Sequence, residues 1–273
     1  MLEALQYEFM RNALIAGVLV SVACGIIGTF IVLNRSVFVS AGIAHAAYGG
    51  IGLGYFLHIN PVVSALVFSI LAALGMGAVQ RATRERADTL IGVLWAVGMA
   101  VGVILVDLTE GYKADLMSYL FGSILAVPRS DLWMILGLDI IVVVVVALLH
   151  RELVAISYDE SFARIQNVPV TAVYLTLLAL IAATVVMLMK VVGLILVIAL
   201  LTIPAAISAM FVRNVGKMMA LAGLLGAVFT TTGLWLSYRL DLTSGATIIL
   251  VAAVGFFLSL VARSILRRQA TSS

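Results

Sequence analysis

Long apolar segments separated by short polar ones set the pattern of this chain. Each apolar segment runs for about 20 residues with almost no charge, which is the length a helix needs to cross a bilayer. Strands of a membrane barrel would be about 10 residues long and would alternate apolar and polar positions, whereas these runs are continuous. We therefore predict transmembrane helices near residues 12–33, 37–57, 61–80, 89–108, 132–149, 171–189, 193–212, 217–237 and 244–265.

The second predicted span contains the chain's most unusual local pattern. Its small residues recur every four positions, at Gly42, Ala46, Gly50 and Gly54. One face of this helix is thus almost bare, so that another backbone can approach it closely. On a neighbouring face lies His45, flanked one turn away by Ala41 and Gly49. An ionisable side chain at this depth is costly and marks a candidate functional site.

Composition gives the same class. Hydrophobic residues make up 64% of the 273 positions and charged residues 11%, with a mean hydropathy of +1.23. One soluble core could not bury this much apolar surface, so the chain is predicted to be an all-α, polytopic membrane protein with a single transmembrane domain over residues 1–273. The net charge of +3 lies in loops beside the membrane and gives no reason to expect nucleic-acid binding.

The segment between the fourth and fifth spans differs from an ordinary loop. Residues 110–131 read EGYKADLMSYLFGSILAVPRSD, which is too polar to cross the membrane and too apolar to be a free loop. We predict a short re-entrant or interfacial helix over residues 114–126, and Pro128 marks where it stops.

Basic residues predict the orientation of the bundle. With nine spans, four basic clusters fall on one side, which is then cytoplasmic. The amino terminus is accordingly expected outside and the carboxyl terminus inside. The clusters contain Arg81, Arg84 and Arg86, then Arg151 and Arg164, then Arg213 and Lys217, and finally Arg263, Arg267 and Arg268.

The loop at residues 151–170 is far more polar than its surroundings. Asp159 can cap a short helix that begins at Glu160 and must end before Pro169. This helix, residues 159–167, is expected to present Phe162, Ala163, Arg164 and Ile165. Such a face suits docking into a groove on a soluble partner, and a solvated linker is the alternative interpretation.

Four motifs in order resemble one family. The segments AHAAYGG, DLMSYLFGSILAV, YDESFARIQNVPV and VVGLILVIALLTIPAAISAMF resemble permease subunits of ATP-binding-cassette importers for zinc, manganese and iron. The resemblance runs over roughly residues 12 to 265. It implies a homodimer or heterodimer of permeases with the substrate path along its two-fold axis, two cytoplasmic ATPase subunits and an extracytoplasmic solute-binding protein, in the cell membrane of a prokaryote.

The resemblance also implies roles for particular residues. Residues 159–167 would be the coupling helix that docks on the ATPase, with Asp159, Phe162 and Ala163 matching the family's motif. The helix near 114–126 would help gate the outer mouth, with Tyr119, Phe121 and Gly122 as gate residues. The sequence contains no G-x-x-x-x-G-K-[ST] motif. ATP is therefore expected to be used by the partner, with no cofactor bound by this chain and no catalytic residue in it.

The substrate is where this sequence departs from the family. Related metal permeases carry an aspartate four residues before the histidine of the second span, and here that position is Ala41. His45 alone suits zinc, copper, iron or nickel better than magnesium or calcium. The missing carboxylate keeps a metal chelate open as an alternative substrate. A lone histidine can also be a packing group that hydrogen-bonds a neighbouring carbonyl.

Two further residues lie within predicted spans. Asp139, in the fifth span, could lie at a depth similar to that of His45, so a His45–Asp139 pair is one hypothesis; a structural hydrogen bond to a neighbouring helix is the other. Pro204 is expected to break or kink the seventh span.

A secondary carrier without an ATPase is the third functional hypothesis, although the chain lacks the convincing repeats and paired charges typical of that class.

Overall fold

The structure is a computed structural model that describes residues 6–83, 87–110 and 122–272. Within these ranges the secondary structure is helical, with one short 3₁₀ helix at Ile124–Ala126 and no strand. The α-helices are α1 (Glu8–Leu33), α2 (Val37–Phe56), α3 (Pro61–Thr83), α4 (Ala87–Leu108), α5 (Arg129–Leu148), α6 (His150–Tyr158), α7 (Glu160–Ile165), α8 (Val170–Val192), α9 (Leu194–Phe211), α10 (Val215–Leu240) and α11 (Ser244–Ser272).

The predicted all-α membrane bundle is confirmed. Among the described residues, nine helices are long and apolar enough to cross a membrane, and each coincides with one predicted span. The remaining two helices, α6 and α7, lie between the fifth and sixth spans. The helices α1, α2 and α8 bury most of their apolar windows, whereas α4 and α11 expose most of theirs.

The helices α2 and α4 pack with their backbones in contact. A β-carbon added at Gly52 would lie 2.4 Å from the carbonyl oxygen of Gly102, and one added at Gly98 would lie 2.5 Å from the Cα of Ala46. On the α3 side, a β-carbon at Gly50 would lie 2.5 Å from the Cα of Ala65. The predicted small-residue face is therefore confirmed: α2 is held between two neighbours at distances that larger side chains would prevent.

Polar contacts define the two ends of the bundle. At one end, Asn34 donates a hydrogen bond to the Ser157 hydroxyl at 2.9 Å, next to α7; we call this the α7 end. At the opposite end, Lys190 binds Asp131 at 2.8 Å. Helices of adjacent spans run antiparallel between these ends, so the first span starts at the opposite end and the last span finishes at the α7 end.

Two glycines in the left-handed region meet at the opposite end. Gly193, with φ of 84°, is the single residue between α8 and α9. Gly122, with φ of 55°, lies against it, and a β-carbon at Gly122 would come 2.2 Å from the Gly193 nitrogen. The positive φ favours glycine at both positions, and at Gly122 the lack of space requires it as well.

Candidate functional site

The short helix α7 begins as the sequence predicts. The Asp159 carboxylate accepts hydrogen bonds from the backbone N–H groups of Ser161 at 2.9 Å and Phe162 at 3.0 Å. These bonds satisfy donors that the first turn of a helix leaves unpaired. The helix ends at Ile165, before Asn167 adopts a φ of 61°. The expected capped helix in this loop is confirmed.

The exposed face of α7 differs from the expected one at one position. Phe162 and Ile165 are 55% and 79% exposed, whereas Ala163 is fully buried. Successive residues of a helix point about 100° apart, so a helix lying flat on the bundle turns Ala163 inward when its neighbours face outward. Ala163 thus anchors α7 to the bundle, and Phe162, Arg164 and Ile165 form the exposed side.

Beneath α7 lies a polar network that ties it to two transmembrane helices. Glu160 accepts hydrogen bonds from Arg81 at 3.1 Å and from Arg164 at 2.6 Å. The Arg81 guanidinium also lies 4.5 Å from the ring centre of Tyr174, whose hydroxyl donates to Gln80 at 3.1 Å. The network borders a cavity of about 570 Å³ at the α7 end. The network therefore links α7 to both α3 and α8.

The charge of Glu160 is stabilised by this network. The hydrogen bond from Arg164 lowers the pKa of the Glu160 carboxyl below its usual value, and the charge of Arg81 adds to the effect. Partial burial acts in the opposite direction. Glu160 is therefore ionised throughout the physiological range.

His45 is held in one orientation by two neighbours. Its Nδ1 atom lies 2.8 Å from the Ala41 carbonyl oxygen. A carbonyl can only accept, so Nδ1 carries the hydrogen and Nε2 is the nitrogen with a free lone pair. The indole of Trp95 on α4 stacks on the imidazole, with ring centres 3.8 Å apart and planes inclined by 21°. The result is a fixed imidazole with one nitrogen available as a ligand.

No complete metal site surrounds His45 in the described part of one chain. There, no three His, Cys, Asp or Glu residues lie close enough together to hold an ion. The neighbouring position Ala41 contributes its backbone oxygen to the hydrogen bond with His45 and has no carboxylate. A single copy thus supplies one imidazole, and any further ligands must come from water, from a second copy or from the substrate itself.

The structure does not bring Asp139 to His45. Asp139 is 4% exposed and its neighbours on α1 are Ala23 and Cys24. Neither of its carboxylate oxygens has a hydrogen-bond partner of normal geometry within the described residues. The hypothesis of a His45–Asp139 pair is wrong because α5 packs on α1 and α8, whereas α2 packs chiefly on α3 and α4. A similar depth in the membrane therefore does not bring His45 and Asp139 into contact, because their helices have different neighbours.

Pro204 lies inside α9, which continues through it. The expected break is wrong, whereas a kink at this position stays a prediction; the proline removes the one hydrogen bond that it cannot donate. Nearby hydroxyls bond to other carbonyls: Thr202 donates to Ile198 at 2.8 Å and Ser208 to Pro204 at 2.9 Å. The buried apolar side chains around Pro204 keep the helix continuous.

The predicted gate helix at residues 114–126 falls largely on residues outside the described ranges. Tyr119 and Phe121 are among these, and their role stays a prediction. Of the described part, Gly122 abuts Gly193, and the chain then forms the 3₁₀ helix at Ile124–Ala126. The buried Asn12 side chain donates to the Val127 carbonyl at 3.2 Å and fixes this stretch to α1.

Three features of the site are absent from the sequence analysis. The short helix α6 is amphipathic, with Leu153 and Ile156 buried on its inner face. From the sequence, Arg81 is only one basic residue of a loop, and Trp95 is only one apolar residue of the fourth span. Nothing local in the sequence identifies Trp95 as the partner of His45, because the two residues lie on different helices.

Comparison with known proteins identifies the family. Residues 6–263 match the ABC 3 transport family. The membrane protein slr2045 of Synechocystis sp. is 59% identical, over 96% of this chain and 94% of its own length. The manganese transport system membrane protein MntC of Listeria monocytogenes is 37% identical, over 93% and 91% respectively.

A solved structure agrees with this assignment. PsaBC from Streptococcus pneumoniae, determined in complex with Fab, superposes with a TM-score of 0.84 at 30% identity, covering 94% of this chain and 93% of that one. The family match spans nearly the whole chain, and the fold, the nine candidate spans and the order of elements agree with it. This multi-pass membrane protein therefore belongs to the ABC 3 transport family.

Proposed function

We propose that this chain is the membrane permease subunit of an ATP-driven importer of divalent transition-metal ions. The observation that carries the proposal is the capped helix α7, which exposes Phe162 and Ile165 outside the transmembrane segments. Exposed apolar side chains on a short helix beside charged ones suit a groove on a soluble partner. In this proposal the partner is a cytoplasmic ATPase, and α7 is the coupling helix.

The distribution of basic residues supports the orientation. Of the 16 Lys and Arg residues, the sequence order places 11 at the α7 end. The positive-inside tendency makes that end cytoplasmic. The amino terminus is then outside, the carboxyl terminus is inside, and the opposite end would face an extracytoplasmic solute-binding protein. The membrane proposed is the cell membrane of a prokaryote.

His45 is proposed to line the substrate path. Its oriented Nε2 atom can replace one water of a passing ion, and a second permease copy would supply an equivalent imidazole. One neutral ligand per copy binds an ion weakly, which suits transit because the ion must also leave. The similarity to the manganese transport protein MntC favours manganese, whereas imidazole without carboxylate favours zinc or iron.

A direct test combines assembly and uptake. The variant Phe162→Asp should abolish co-purification with the ATPase, because a charge replaces an apolar contact. Phe38→Asp is the matched control: Phe38 is exposed at the same end but lies on α2, and its variant should still bind the ATPase. Retention of the ATPase by Phe162→Asp would refute the assignment of α7.

Uptake then identifies the substrate. Cells with and without the gene are assayed for accumulation of manganese, zinc and iron, each as the free ion and as a chelate. We expect accumulation of one free ion to depend on the gene. The lack of a carboxylate at position 41 supports the alternative, a chelated metal that brings its own ligands, and uptake restricted to chelates would establish that alternative.

A further inference from the structure

A groove between α1 and α5 opens at the end opposite α7. Its volume is about 590 Å³, within the range of small-molecule sites. The rim carries Arg11 and Arg129, and the body is lined by apolar side chains of both helices, among them Ile15, Leu19, Trp133 and Leu136. The groove is far from α7 and from the His45–Trp95 pair, and the proposed transport mechanism makes no use of it.

The chemistry of the groove changes with depth. Arg11, Ile15 and Leu19 follow one another at four-residue intervals and so lie on one face of α1. Eight residues of helix span about 12 Å, so the groove runs from a cationic rim to an apolar interior over about that depth. The Trp133 side chain is 74% exposed beside the rim, as is common for tryptophan at a membrane surface.

The rim keeps an excess of positive charge. The guanidinium of Arg129 pairs with Glu8, with an Nε to Oε1 distance of 2.7 Å. Arg11 has no salt bridge within the described part of the chain, so one cation remains uncompensated. The neighbouring Asn12 is turned inward to the Val127 carbonyl and holds the wall of the groove in place.

We propose that this groove binds one anionic phospholipid, with its phosphate at Arg11 and Arg129 and one acyl chain against Ile15, Leu19 and Leu136. The order of cationic rim, exposed tryptophan and apolar interior matches the order of headgroup, interface and chain in a phospholipid. A second copy of this chain would present a rim of the same charge in a two-fold contact and would leave those cations unpaired.

The test uses the protein in nanodiscs that contain phosphatidylglycerol and phosphatidylcholine in equal amounts. Native mass spectrometry measures which lipid stays bound after release from the disc. We expect wild type to retain one phosphatidylglycerol in preference to phosphatidylcholine. The double variant Arg11→Gln with Arg129→Gln should lose this preference by about tenfold, because charge-assisted bonds to the phosphate are removed.

Two controls separate the groove from general charge effects. Arg239→Gln removes another arginine at the same end of the bundle, which lies over Trp235 and outside the groove, and should retain the lipid. Leu19→Trp fills the apolar part without changing the charge and should also reduce retention. Soluble glycerol phosphate should not displace the lipid, since it lacks the acyl chain.

Three results would overturn the proposal. The first is equal retention of the two lipids by wild type. The second is unchanged preference in the double arginine variant. The third is efficient cross-linking of Trp133→Cys between two copies, which would show that protein covers the groove.

Discussion

Glu160 in α7 and Arg81 at the end of α3 form a 3.1 Å ion pair across 79 residues of sequence. The same carboxylate accepts a hydrogen bond from Arg164 within α7, so Glu160 makes one contact inside α7 and one to the bundle. Because α3 packs against α2, the helix that carries His45, this pair is the first link in a short chain of contacts from α7 to the proposed path.

Removing the charge of Glu160 should weaken the coupling of ATP hydrolysis to metal transport more than it weakens binding of the ATPase. In Glu160→Gln we expect ATPase binding to persist and metal transported per ATP hydrolysed to fall about two- to fivefold, the effect of a partly exposed ion pair. Proteoliposomes with the purified ATPase give both quantities. Arg164→Gln leaves the Arg81 contact in place and should have a smaller effect, whereas equal effects would remove the Arg81 link from the mechanism.

Acid should loosen α7. The pKa of Glu160 is lowered in the folded protein, so the stability from its ion pairs is present above the ordinary glutamate pKa of about 4.3 and is lost as pH falls through the lowered value. Hydrogen exchange of α7 amides, compared between wild type and Glu160→Gln at each pH, should show protection of wild type at neutral pH. The difference should shrink as the pH falls through the lowered pKa of Glu160; a difference that does not change with pH would contradict this account.

The oriented imidazole can be tested with three substitutions. His45→Ala should lower metal uptake by at least about tenfold while assembly is unaffected, and Trp95→Leu should lower it less, because only the orientation of the ring is lost. Ala41→Asp should tighten manganese binding by placing a carboxylate one turn from the imidazole. His150→Ala, at the α7 end, is the control; normal uptake by His45→Ala would make His45 a packing residue.

Asp139 should cost stability. A buried carboxylate without hydrogen-bond partners is unfavourable by about 1–3 kcal/mol, so Asp139→Leu is expected to raise the thermal unfolding midpoint in detergent. Asp131→Leu is the matched control, since Asp131 binds Lys190 and its loss should lower the midpoint. A lower midpoint for Asp139→Leu would show that this carboxylate has a stabilising partner.

The contact between α2 and α4 should not tolerate a methyl group. Gly52→Ala forces an atom to within 2.4 Å of the Gly102 oxygen and should destabilise the protein by about 1–3 kcal/mol. Gly92→Ala, also within a transmembrane helix, meets nothing within 4 Å and should be neutral or stabilising. Equal unfolding midpoints for the two variants would argue against the close approach.

The sequence predicts the spans well because membrane burial selects long apolar runs, and it predicts α7 because the Asp159 cap and Pro169 mark both limits. It does not predict which side of α7 faces the bundle, because six residues carry too little periodic signal. For this reason Ala163 was expected on the exposed face but is buried. The Asp139 hypothesis failed for a related reason: position along a helix fixes depth, but rotation and neighbours depend on packing of the whole bundle.

Pro204 and Trp95 both show that local sequence does not determine tertiary contacts. At Pro204 an expected break does not occur, and at Trp95 a contact occurs that no local pattern indicates. A proline removes one backbone hydrogen bond, yet α9 continues through Pro204. The stacking of Trp95 on His45 arises only when α2 and α4 are brought together by their glycines. Tertiary contacts therefore decide both results.

Gly193 is the only residue between α8 and α9, so the two helix ends cannot move apart. Any axial displacement that α8 receives at its Tyr174 end must be taken up by α9 at once, because one glycine cannot lengthen. The two helices are therefore expected to move together, with Gly193 as the corner between them. A flexible insertion after Gly193 should uncouple the movement of α8 from that of α9 while leaving both helices intact.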